Sequence, residues 1–87
     1  MSSVEDLREA LEQLAQDTDA EVQTLSTSNQ ALEDKKAALN AELDTSQTGQ
    51  DVSAAFDTAI TEVEEAIGKL TEAAEKARDY AQNLIDN

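Results

Sequence analysis

The sequence predicts an all-α protein, an antiparallel hairpin of two long helices that pairs into a four-helix bundle. Three observations carry that expectation. Proline is absent and glycine occurs only at Gly49 and Gly68, so little interrupts a helix. Apolar residues recur at steps of three and four through both halves of the chain. The one dense cluster of turn formers, DTSQTGQD at Asp44–Asp51, divides 87 residues into arms of comparable length.

The first arm is expected to run as a helix over about 3–44. Ser2 with Glu5, or Ser3 with Asp6, has the spacing of a capping box, and both acids suit the positive end of the helix dipole. Val4, Leu7, Leu11, Leu14, Thr18, Val22, Leu25, Asn29, Leu32, Lys36, Leu39 and Leu43 then form a narrow stripe, the width of a seam against one partner helix. Two successive steps of four, Leu14 to Thr18 to Val22, predict a stutter that locally relaxes the supercoil. The segment Thr24–Gln30 is rich in Ser, Thr and Asn, which compete for backbone hydrogen bonds. A continuous helix is favoured there because the stripe crosses in phase; a break recapped by Thr27 and Gln30 is the alternative. Asn29 and Lys36 interrupt the stripe. Either they set register or face a partner's acid across the interface, or Lys36 snorkels and Asn29 is solvated.

The turn is expected at 45–50, with Gly49 in the left-handed conformation and Asp51 as N-cap of the next helix. That second helix is expected over about 51–85, and its apolar face is wider. Val52, Ala59, Ala66, Ala73 and Tyr80 form one column. Phe56, Val63, Leu70, Ala77 and Leu84 form a second, and Ile60, Ile67, Ala74 and Ala81 a third. Three columns exceed what one partner helix covers, so a lone hairpin leaves one column wet. Self-association is therefore expected through Phe56, Ile60, Val63, Ile67 and Leu70, with Leu25, Leu32 and Leu39 opposite and Tyr80 further along the same arm.

Net charge is −14 and spread along the chain: −6 over residues 1–30, −2 over 31–50 and −6 over 51–87. Such a field repels nucleic acid and anionic membranes and keeps a protein soluble. Histidine and cysteine are both absent, which removes the commonest general base, thiol nucleophiles and thiolate metal sites. The run Asp17–Glu21 starts like a calcium loop, but Val22 and Ser28 stand where the glycine and the bidentate Glu belong. No catalytic, metal or cofactor site is expected. No run approaches the ~20 apolar residues of a membrane span, and the N-terminus has acids where a cleaved leader has basic residues. The expected location is the cytoplasm, or outside the cell by a route without a cleaved leader.

A turn glycine, Gly49, followed by the pair Ala55–Phe56 and then Ile60, Val63, Ile67 and Leu70, in a short two-helix chain, resembles the Trp-Xaa-Gly family of type VII secretion substrates. Here the turn reads Gln47-Thr48-Gly49, without the Trp. Leu84 stands four residues after Tyr80, where the family's export signal has an acid. The resemblance implies a homo- or heterodimeric hairpin exported without a cleaved leader. The functional expectation is a non-enzymatic protein–protein interaction module. The alternatives are a structural coiled-coil component of a phage or cell surface, and an acidic inhibitor that mimics nucleic acid.

Overall fold

The computed structural model describes residues 3–40, 42 and 46–86. Two helices, α1 (Ser3–Asn40) and α2 (Gln47–Asp86), lie antiparallel in a rod of 65 × 16 × 15 Å, and the described residues contain no strand. Helix α1 runs unbroken through Thr24–Gln30. One hydroxyl there joins the helix instead of competing with it: Thr24 Oγ1 donates to the Ala20 carbonyl at 3.1 Å, as Thr18 Oγ1, earlier in the helix, does to Leu14 at 2.7 Å. Glu5 and Asp6 sit in the first turn, as expected; Ser2 lies outside the described residues.

The expected boundaries around the turn need correction. Helix α1 ends at Asn40 rather than near 44, and the Glu42 N–H closes a turn onto the Leu39 carbonyl at 2.8 Å. Helix α2 begins at Gln47, so residues 47–50, expected in the turn, are helical. The cap is Ser46, not Asp51. Its Oγ accepts the Gly49 N–H at 3.2 Å, and its carbonyl accepts the Gln50 N–H at 3.0 Å. Gly49 is not left-handed, since no described glycine has positive φ. Gln47 Nε2 reaches Asp51 Oδ1 at 2.9 Å along the new helix, which leaves Asp51 inside it. An N-cap contributes about 1 kcal/mol, comparable to what a glycine in a helix costs, so Ser46 carries the helix start past Gly49. Residue 45 of the expected turn, and 43 and 44 of the expected first helix, lie outside the described residues.

The seam on α1 is formed by Arg8, Leu11, Ala15, Thr18, Val22, Leu25, Asn29, Leu32 and Lys36, all buried or half-buried. These alternate steps of three and four without a fault, so the expected stutter does not occur. Ala15, fully buried, holds the place assigned to Leu14, which is 58% exposed. Alanine wins because the facing stretch of α2 is also small: Ala74 and Ala81 are buried there, and small residues let the helices approach.

On α2 the third column docks. Ile60, Ala74 and Ala81 are buried and Ile67 is half-buried. Register is held by Asn29, whose Nδ2 donates to the Ile60 carbonyl at 3.2 Å. Asn29 is 6% exposed, so the solvated alternative for it fails; its Oδ1 is buried without a partner. Lys36 pairs with Asp57, and Arg78 with Asp19, across the seam.

Candidate interaction surface

The seam has two flanks, and the lining of its grooves assigns residues to each. One groove is bounded by Leu32, Lys35 and Leu39 of α1 with Val52 and Phe56 of α2. The other is bounded by Glu33 and Ala37 with Asp57, Thr61 and Glu64. Heptad spacing extends these assignments along the rod, since both helices keep the seven-residue repeat throughout the seam.

The second flank is polar. Next to the seam it carries Glu12, Asp19 and Glu33 on α1, and Asp57, Glu64, Thr71 and Arg78 on α2. Among the described residues, both ion pairs that cross the seam lie here. Near the open end Arg78 joins Glu12, Gln16 and Gln82 around a further groove.

The first flank is apolar. The described large hydrophobic side chains that stand exposed are Val4, Leu7, Leu14 and Leu39 on α1, and Phe56 and Tyr80 on α2. All but Val4 fall on this flank; Val4 stands at the free end of the seam, where its groove takes in Glu5, Arg8 and Leu84. Between Phe56 and Tyr80 the column Ala59, Ala66 and Ala73 is exposed as well, and Val63, Leu70 and Ala77 beside it are half-buried. At the turn end the flank is concave, an apolar notch of about 220 Å³ with Lys35 at its rim. The wet column expected for a lone hairpin is therefore present, and it is the first column, Ala59 to Tyr80.

The nine residues expected to mediate association divide accordingly. Ile60 and Ile67 are spent on the seam within the hairpin. Leu25, Leu32, Val63 and Leu70 are half-buried, shared between the seam and the flank. Leu39, Phe56 and Tyr80 are free. The sequence pattern placed Val4, Leu7 and Leu14 in the seam stripe and the alanine column among three apolar columns, and none of these was expected to mediate association. The signal for them was present: in α2 two interleaved heptads share the Phe56 column, and one helix can occupy only one of them.

Four cations form ion pairs among the described residues: Arg8 with Glu12, Lys36 with Asp57, Lys76 with Glu72 and Arg78 with Asp19. Lys35 and Lys69 form none, and both border the apolar flank. Among the described residues, no helix is long and apolar enough to cross a membrane. Comparison with protein-family models, curated proteins and solved structures returned no match.

Proposed function

We propose that this chain is a non-enzymatic interaction module, and that its apolar flank docks a second helical hairpin to complete a four-helix bundle. One observation carries the reading: of the described large hydrophobic side chains that stand exposed, all but Val4 at the free end lie on the same flank of the rod. Scattered exposed leucines are normal on a protein surface; a continuous stripe on one side marks a contact surface. One whole side of the rod spans about 65 by 16 Å, room enough for the ~800 Å² per partner of a standard interface. The core also asks for completion, because no large side chain among the described residues is fully buried.

The test compares two matched substitutions. Ala66→Glu places a charge in the middle of the apolar flank, and Ala37→Glu places the same charge on the polar one. Size-exclusion chromatography with light scattering should show complexes of wild type and Ala37→Glu, and a single chain for Ala66→Glu with unchanged helicity. Complexes lost equally in both variants would contradict the reading. Complexes that dissolve in 1 M salt would favour the acidic mimic of nucleic acid instead. Mass that grows without limit as concentration rises would favour an extended coiled-coil array.

A further inference from the structure

The charges bordering the apolar flank differ from those of the rest of the molecule. They are Asp17, Glu21 and Glu62 against Lys35, Lys69 and Lys76, a net charge of zero in a chain whose total is −14. A strongly basic partner therefore has no reason to choose this flank over any other. A surface that is neutral, apolar and carries equal numbers of both signs fits a partner of the same kind. The nearest such surface is its own.

We propose that the occupant of the flank is a second copy of this chain, docked side by side with both turns at the same end, about a two-fold axis along the rod. This deepens the proposed function and rests on it. An axis in that direction keeps every residue at its own level. Helix α1 of one copy then meets α2 of the other in the register the hairpin already uses. Within the hairpin, the numbers of touching residues add up to between 89 and 97, from Asn29 with Ile60, Lys36 with Asp57 and Asp19 with Arg78.

At that register the faces interlock. Leu32, Leu25 and Leu14 of one copy meet Ala59, Ala66 and Ala77 of the other, so large residues oppose small ones, as a close-packed core needs. Leu39 meets Val52, Leu7 meets Leu84, and the stem of Lys35 lies over Phe56 at the notch. All three acids then find lysines of the second copy: Asp17 with Lys76, Glu21 with Lys69 and Glu62 with Lys35. The two lysines without a partner inside the hairpin thereby acquire one. Each helix has only the opposite arm as its neighbour across the new seam.

The rival arrangement inverts the second copy end for end. Its centre falls at residue 68 of α2 and 23 of α1, midway between Val52 and Leu84 and between Leu7 and Leu39. It sets Lys69 near Lys69 and Glu21 near Glu21, and of the acids beside the flank only Glu62 meets a lysine, Lys76. Like charges there oppose the docking, and Lys35 meets no acid.

Chains without native cysteine allow a direct test by disulfide trapping. Leu14→Cys mixed with Ala77→Cys, and Leu39→Cys mixed with Val52→Cys, should each give a cross-linked heterodimer. Leu14→Cys mixed with Leu32→Cys should give little. The reverse pattern would overturn the parallel arrangement in favour of the inverted one. A charge swap supplies the second readout. Lys69→Glu should weaken dimerisation roughly tenfold, since two pairs per dimer become repulsive, and Glu21→Lys added to the same chain should restore it. Lys69→Glu without rescue would also overturn the arrangement. A wild-type chain that sediments as a monomer up to about 1 mM, with native helicity, would rule out the second copy. A different hairpin retained by wild type and lost by Ala66→Glu would, in that case, leave the flank as a docking surface and reject only its proposed occupant.

Discussion

The two flanks of this hairpin begin from the same seam and part company one column away from it. On one side the next residues outward are Glu12, Asp19, Glu33, Asp57 and Glu64; on the other they are Leu7, Leu14, Ala59, Ala66 and Ala73. The first side is finished. Its two ion pairs tie α1 to α2 and its acids face water. The second side repeats the pattern that built the seam, with no helix against it. In a coiled-coil rod, then, the number of partners is written in the column beside the seam, not in the seam itself.

That contrast can be broken most severely at adjacent residues of α2. Ile60→Asp buries a charge in the seam and should cost more than about 3 kcal/mol, enough to unfold a thin-cored hairpin. Ala59→Asp, one residue away on the exposed column, should leave the monomer's circular dichroism nearly unchanged. Equal loss of helicity in both variants would erase the distinction between seam and flank.

A smaller effect of opposite sign is expected at Asn29. Its Oδ1 is buried with no partner, and an orphaned polar atom costs about 1–3 kcal/mol. Asn29→Leu should raise the urea midpoint of unfolding by about 1–2 kcal/mol equivalent, while losing the Asn29–Ile60 bond that holds register. A destabilised variant would show that the single bond outweighs the orphan.

The smallest effect belongs to the polar flank. Asp19→Asn removes one exposed cross-seam ion pair and should change stability by no more than about 0.5–1 kcal/mol, less in high salt. A loss as large as that of Ile60→Asp would mean that charge, rather than the apolar seam, holds the hairpin together.

Much of this fold was legible in the sequence, for reasons that also explain the misses. Helical spacing without proline made two long helices the only economical reading, but the interruption at Asn29 and Lys36 left open whether those residues set register or met solvent, because burial depends on a partner helix the pattern does not show. The phase of the α1 seam was misjudged because Leu14 is the more hydrophobic neighbour of Ala15. Packing there rewards close approach to Ala74 and Ala81 over bulk. Glycine at position 49 looked like a terminator because its freedom was weighed alone, without the Ser46 cap that admits it to the first turn of α2. The flank was the hardest part to see. Both heptads of α2 are in the sequence, but which of them α1 occupies depends on the register that Asn29 and the Ala15 contact select.

The central claim is that the apolar flank is covered when the protein works. Hydroxyl-radical footprinting across a dilution series, read by mass spectrometry, tests it directly. Leu39, Phe56 and Tyr80 should become protected as concentration rises, while Thr61 and Arg78 on the opposite flank keep constant labelling. Identical labelling of Phe56 and Tyr80 at every concentration, with or without a candidate partner, would contradict the account.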